Sequence, residues 1–393
     1  MTVNAQSSTP HPDLALEQRE IGRIVGHAPG PTLVVVAGIH GNEAAGIFAA
    51  RRVLARLQSA ELPLKGELVV LAGNLAALRL GKRYQVKDLN RQWTEARVAG
   101  LLASAGKDVA GDAEDNEQRE LMAGIDAAIT RSRGRVHLAD FHTTSAAGIP
   151  FVLFGDTIAQ RQFVRAFPLP IIVGLEEQLD GALSEYWTRH GCVTFACEGG
   201  QHHDPGSIDN LEAVLYLSLA TAGIIPPGSL PELAKSYALL RERRGELPPF
   251  LEVVSRHAIS EADAFKMEPG FKNLNPASEG QLLAHDVRGE IRAPKDGLVI
   301  LPLYQGLGND GFFWGRAVSN TRLRAAEILR RLHLDRLLEL LPGVDKDPMH
   351  PSRFIVREVA QRYPRDVFHA FGYRRVRTHD GQLTIERQPD ATP

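Results

Sequence analysis

The chain has 393 residues, of which 44% are hydrophobic, 23% charged and 6% aromatic, with a formal net charge of −2. Single cores usually stop growing near ~250–300 residues, so this length implies more than one folding unit, and the apolar share suffices for a large interior. The near-neutral balance gives no electrostatic reason to expect nucleic acid or an anionic membrane surface as a partner, and no apolar run reaches the ~18 residues of a membrane span.

The N-terminal stretch MTVNAQSSTPHPD is polar and lacks the charged start and apolar segment of a secretory signal, and residues 1–20 read as a flexible tail. Strand and helix signals then alternate from residue 21 to 225. TLVVVAG (32–38) is a short β-branched apolar run ending in Gly, which predicts a buried strand. In EAAGIFAARRVLARLQ (43–58), Ile47, Val53, Leu54 and Leu57 recur at helical spacing. GELVVLAGN (66–74) is a second strand and NEQRELMAGIDAAITRSR (116–133) an amphipathic helix. RVHLADFHTT (135–144), GIPFVLFG (148–155), LPIIVG (169–174) and CVTFACEGG (192–200) are further strands, and a helix over 208–223 closes at Gly223. The only two cysteines, Cys192 and Cys197, fall in the last of these strands on opposite faces and read as core residues. They exclude a disulfide framework and fit a reducing, cytoplasmic setting.

Strands without polar alternation, separated by helices, predict an α/β fold with a mixed sheet flanked by helices and a site at the carboxyl ends of the strands. Residues 226–249, with several prolines and charges, read as a linker. Residues 250–320, with closely spaced Gly turns, read as a small β domain. Residues 321–393 read as a helical extension: one helix over 321–341, a second over 352–363, and a terminal hairpin around Asp380-Gly381. The arginines of the hairpin (Arg374, Arg375, Arg377) read as a solvated edge.

Several residues at the predicted strand ends are chemically suggestive. His40 and Glu43 in GIHGNE stand three apart at a strand–helix junction, where they can bind one metal ion. The alternative is that Asn42 or Glu43 caps the helix. His142 in HLADFHTTS follows a strand, with Asp140 two residues earlier on the same face, as a third ligand with an orienting carboxylate or as a buried His with its partner. Glu198 in TFACEGGQHH is a carboxylate on an apolar strand, suited to general-base work on water or else salt-bridged to an arginine. Arg83, Asp88, Asn90 and Arg91 crowd into RYQVKDLNR, either a carboxylate- and carbonyl-binding loop or a solvated one.

G-I-H-G-N-E (38–43), G-N (73–74), R-Y-x3-D-L-N-R (83–91), D-F-H-T-T-S (140–145) and C-E-G-G-Q (197–201) together resemble the succinylglutamate desuccinylase/aspartoacylase family of zinc enzymes, relatives of the zinc carboxypeptidases, over residues 21–320. The resemblance implies a catalytic α/β domain (21–225) and one Zn²⁺ per chain on His40, Glu43 and His142. It also implies Glu198 as general base, Arg83 on the oxyanion, Asn90 and Arg91 on the substrate carboxylate, Asn74 lining the pocket, and Asp88 and Asp140 in support. The implied activity is hydrolysis of the amide of a small N-acyl amino acid. A zinc carboxypeptidase acting on a peptide or cell-wall fragment, and a non-enzymatic binding protein, are the alternatives. The family's aspartoacylase branch also uses a C-terminal Tyr and a second Arg. Here Tyr304, followed by Phe312, Phe313 and Trp314, and Arg189 are the candidates, without a secure match. A cation facing the metal from residues 184–190 or 304–314 would argue a dicarboxylate substrate, and an aromatic wall an apolar or neutral one. GEIRAPKDGLVILP, with Lys295 in its turn, faintly resembles a biotinyl/lipoyl-type β fold, and no attached cofactor is expected there. The sequence leaves oligomeric state open, a homo-oligomer included.

Overall fold

The longest apolar runs lie side by side in the middle of one sheet. The computed structural model describes residues 14, 17–60, 62–104, 111–305, 308–379 and 382–388. Its main sheet has 11 strands, in the order Glu20–Val25, Lys65–Ala72, Ala28–Ala37, Val136–Thr144, Val193–Gln201, Phe151–Phe154, Ile171–Val173, Phe250–Ala258, Asp310–Ala317, Gly297–Ile300 and Asn275–Ala277. Ala28–Ala37 pairs parallel with both neighbours, and Val136–Thr144 pairs parallel with Val193–Gln201. Phe151–Phe154 then runs antiparallel to Val193–Gln201, which makes the sheet mixed.

Alternate residues of the central strand serve two interiors. Leu33, Val35 and Ala37 pack under the helices Ala45–Gln58 and Pro205–Ala222, whereas Val34 and Val36 face the helices Ala113–Arg131 and Leu183–Arg189. Strands buried on both faces need no polar alternation, which is why these runs are continuously apolar. Cys197 and Cys192 fall in the two different clusters. No helix among the described residues is long and apolar enough to cross a membrane.

Four sequence expectations differ from the structure. The stretch read as a linker contains the helix Pro231–Arg244, opened by Pro231 and packed through buried Leu233 and Leu240. Proline at a helix start forfeits only an N–H that has no helical partner, so it opened this helix where it was read as breaking structure. The stretch 250–320 is a β unit as expected, but one continuous with the main sheet, which four of its strands extend. Its other strands, Lys266–Met267, Leu282–Asp286 and Gly289–Arg292, form a separate three-stranded sheet. The helix read over 321–341 ends at Arg331, and His333, at φ 50°, turns the chain into a short 3-10 segment, Leu334–Leu340. The helix read over 352–363 is instead the strand Arg353–Val356, whose β-branched Ile355 and Val356 pair with the strand Gln382–Glu386.

The terminal hairpin, Arg375–His379 with Gln382–Glu386, is present within a four-stranded sheet, and its Asp380-Gly381 turn lies outside the described residues. So does most of the 1–20 segment, although Leu14 is buried and Glu20 begins the first strand. The extension is fastened by a buried ionic cluster. Asp156 accepts from Arg161, Arg330 and Arg374, and Arg374 also donates to Glu177 (2.8 Å) and Glu252 (3.2 Å). Arg374 is therefore a docking residue and no solvated edge. Burial alone would raise the Asp156 carboxyl, but Arg161, Arg330 and Arg374 hold it well below the usual range. Glu252 is held low as well, by His369, Arg374 and Arg316.

Both groups have lower pKa values folded than unfolded, so their stabilisation is present above pH ~4 and is lost as pH falls below it. Asp156→Asn removes the carboxylate that three buried guanidinium groups share and is expected to cost ~3–5 kcal/mol in denaturant unfolding at pH 7. The variant's stability should also fall less than the wild type's between pH 5 and 3.

Candidate metal centre and active site

The strand Ala28–Ala37 delivers the chain to a turn in which Gly38 has φ +75°. At Gly41 a Cβ would lie 2.2 Å from the Ala77 carbonyl carbon, so glycine is required for the close crossing. The helix that follows begins at Ala45, and its cap, Ala44, makes no side-chain bond. Neither Asn42 nor Glu43 caps it, and Glu43 turns inward.

His40, Glu43 and His142 are all buried, and one candidate ligand atom from each lies within 4.8 Å of the others. His40 Nδ1 is 3.0 Å from Glu43 Oε1, and His142 Nδ1 is 3.1 Å from Glu43 Oε2. The opposite ring nitrogens face carboxylates, His40 Nε2 lying 3.1 Å from Asp88 Oδ1 and His142 Nε2 lying 2.9 Å from Asp140 Oδ2. A neutral imidazole that donates Nε2–H to a carboxylate presents a lone pair at Nδ1. Two such lone pairs and a carboxylate converge here, an arrangement that a cation, or a ring proton on the Glu43 side, satisfies. With carboxylates behind both rings, the donor set fits a His₂Glu zinc site. In the protein alone, protons meet part of that demand. Burial would lower the His142 imidazole, but Asp140 and Glu43 hold it well above its usual value. Burial would raise Glu43, but His40 and His142 hold it well below.

A second acidic and imidazole group, Glu252, Asp366 and His369, also comes together. Arginines neutralise it, with Arg316 on both carboxylates and Arg374 on Glu252. This cluster is the ionic dock described above.

Adjacent strands set the rest of the site. His142 and Glu198 are register partners on neighbouring strands. Glu198 is buried, and its Oε2 has no hydrogen-bond partner. Among the described residues it forms no salt bridge with an arginine. Burial pushes its carboxyl up to about 8, the nearby His142 and Arg83 offsetting only part of the effect.

The Arg83–Arg91 loop is structured. Buried Glu114 accepts from the backbone N–H groups of Gln85 (2.7 Å) and Val86 (3.0 Å), and Gly41 N–H donates to Arg83 O (3.1 Å). Asp88 accepts from Asn90 N–H at 2.9 Å and from Arg83 Nη2 at 2.9 Å. Arg83 Nη1 lies 3.6 Å from Glu43. Arg91 faces Asp310 at 3.4 Å, and Arg256 holds the same Asp310 from the other side.

Several predicted residues sit elsewhere than expected. Asn74 does not line the pocket: its side chain caps the helix Leu75–Leu80 and donates to Glu114. A Gly-Asn pair before a helix is also a capping signal, and capping prevailed. Asn90 lines the cavity, but its amide donates to Asp140 (3.3 Å) and its carbonyl accepts from Leu183 N–H (2.8 Å). It therefore orients the His142 pair. Tyr304 turns away, donating to Glu268 O at 2.7 Å. Arg189 pairs with Glu185 and Glu386.

The cavity over the candidate metal centre is about 190 Å³; of the aromatic candidates Phe313 lines it, and Glu176, Ser184 and Asp310 line it without having been singled out. Ser184 and Asp310 fall in the stretches 184–190 and 304–314, marked only as regions, because no local spacing distinguishes an inward residue on a loop. His202, which also lines the cavity, has Nδ1 2.8 Å from Thr143 Oγ1, and burial lowers its imidazole.

Residues 29–214 match the family model described as the succinylglutamate desuccinylase/aspartoacylase catalytic domain. The succinylglutamate desuccinylase of Burkholderia thailandensis is 27% identical over 273 residues, which are 65% of this chain and 70% of that protein. A solved succinylglutamate desuccinylase/aspartoacylase from Rhodobacter sphaeroides aligns with a TM-score of 0.56 at 17% identity, covering 76% of this chain and 88% of that one. The product-bound ectoine utilization protein EutE (DoeB) of Ruegeria pomeroyi aligns with a TM-score of 0.52 at 21% identity, covering 75% and 88%. At these identities the two structures establish a shared fold.

The carboxylates behind the rings give a direct test. Asp140→Asn is expected to weaken zinc affinity by ~10–100-fold, measured by competition with a chromophoric chelator. His142→Ala should lose stoichiometric zinc altogether, and wild-type affinity in both variants would sink the metal centre.

Proposed function

We propose that the chain is a zinc-dependent amidohydrolase that cleaves the amide of small N-acyl amino acids, a reading supported by the match of residues 29–214 to the succinylglutamate desuccinylase/aspartoacylase catalytic-domain model. The observation that carries the reading is the unpartnered, buried Glu198 carboxyl beside the convergent His40, Glu43 and His142.

His40, Glu43 and His142 would hold the ion, and bound zinc supplies Lewis acidity that brings the pKa of water toward ~7 and polarises a carbonyl. The chain's own groups carry the proton and the charge. Glu198 accepts a proton from the attacking water as the C–O bond forms, and returns it to the nitrogen as the C–N bond breaks. One water and one amide thus become a carboxylic acid and a free amine. Arg83, held by Asp88 beside Glu43, faces the developing oxyanion. Arg91 takes the substrate carboxylate, displacing Asp310, which keeps Arg256 as its partner. Asp88, Asp140 and Asn90 keep the imidazoles oriented.

Purified zinc-loaded protein is expected to release free amino acid from N-acyl amino acids, read by amine derivatisation. Cleavage confined to short peptides would replace this reading with a carboxypeptidase. Glu198→Gln should lower kcat by ~10²–10⁴ with zinc content unchanged, and full activity in it removes the assigned base. Arg83→Ala should cost ~10²–10³ in kcat.

A further inference from the structure

The cavity holds few cations for a substrate to meet. Among the described residues, the only arginines or lysines lining it are Arg83 and Arg91. Arg83 is committed to Asp88 and Glu43, which leaves Arg91 as the one guanidinium for a substrate carboxylate. Arg189, the candidate for a second such residue, is turned onto Glu185 and Glu386 and does not reach the cavity. The acidic side chains lining the cavity away from the metal centre and Glu198 are Asp310 and Glu176. Glu176 accepts from Ser184 Oγ at 2.9 Å and from Gln388 Nε2 at 3.4 Å.

Much of the remaining lining is hydrocarbon. Leu153, Leu175, Leu179, Leu301 and Phe313 line the cavity and pack in one apolar cluster. Phe313 and Asp310, the partner of Arg91, lie on one strand and both line the cavity. With that carboxylate on Arg91 and the scissile amide at Glu198, the substrate's side chain is an arm left to meet this lining. A second carboxylate there would lose its water against leucine and phenylalanine and find acidic neighbours in place of a cation.

We propose that the substrates are N-acyl derivatives of amino acids with one carboxylate and an uncharged apolar side chain, Arg91 holding the carboxylate and the Leu175–Leu179–Phe313 wall selecting the side chain. This rests on the deacylase reading and narrows it. The test compares full-length, zinc-loaded protein on N-acetylleucine, N-acetylphenylalanine, N-acetyllysine, N-acetylaspartate and N-succinylglutamate. The leucine and phenylalanine compounds are expected to exceed both dicarboxylates in kcat/KM by at least ~10-fold. Equal or faster turnover of N-acetylaspartate or N-succinylglutamate overturns the proposal, and fastest turnover of N-acetyllysine overturns its apolar part in favour of an anionic subsite at Glu176. Hydrolysis of none of the five overturns the deacylase reading. If none of the five is hydrolysed, calorimetric binding of free leucine and free aspartate to the metal-free protein separates the two failures: tighter leucine binding upholds the wall's selectivity, and equal or tighter aspartate binding overturns it.

Discussion

Glu43 lies between two imidazoles with each carboxylate oxygen about one hydrogen bond from a ring nitrogen, and most of the neighbouring architecture answers to that contact. Buried acceptors need a proton or a cation between them, so the arrangement depends on both rings being kept from turning away. Asp88 and Asp140 do this from behind, each facing an Nε2 atom. They are themselves fixed: Asp88 by Arg83 and the Asn90 amide, Asp140 by Asn90 and its place on a central strand. Glu114 then braces the loop that carries Asp88 by taking its backbone N–H groups. Each layer is polar and mostly paired, as a low-dielectric interior demands, although Asp140 Oδ1 and Arg83 Nε have no hydrogen-bond partner among the described residues.

What could be seen in the sequence divides along the same physical line. Apolar runs such as TLVVVAG and CVTFACEGG announce their strands because a two-sided interior leaves no other use for them, and the strand ends then locate His40, His142 and Glu198. Glu43 was legible as a candidate because a carboxylate three residues from a His at a strand–helix junction has few uses, although only the structure, with Ala44 as the cap, separates ligand from cap. Asn74 was misplaced because capping and pocket-lining draw on the same residue type. Asp310 and Glu176 stayed hidden because their function depends on which elements meet across the cavity, and spacing along the chain carries no record of that. The β-branched pair Ile355-Val356 shows the same limit, since a short amphipathic stretch becomes a strand when an edge is available to pair with it.

The C-terminal extension is tied to the chemistry more closely than its distance in sequence suggests. Arg374 reaches Asp156 and Glu177, and Gln388 reaches Glu176, so both acidic residues of the short helix Leu175–Gln178 are held from the extension. That helix also lends Leu175 and Glu176 to the cavity wall. Asp156 has φ 66°, an uncommon conformation for a residue with a Cβ, and sits two residues beyond the Phe151–Phe154 strand that supplies Leu153 to the same wall. The ionic dock therefore fixes two of the segments that line the cavity.

The Arg91–Asp310–Arg256 chain has a kinetic side. A guanidinium that lost a carboxylate partner to solvent would have to rehydrate before the next binding event and surrender that water again. Asp310 supplies the same kind of partner from within the protein, so in the proposed role Arg91 would exchange one carboxylate for another at nearly constant solvation. Such an internal competitor weakens ground-state grip on any carboxylate and hastens its departure, which favours an enzyme that turns over a plentiful metabolite above one that scavenges a scarce one.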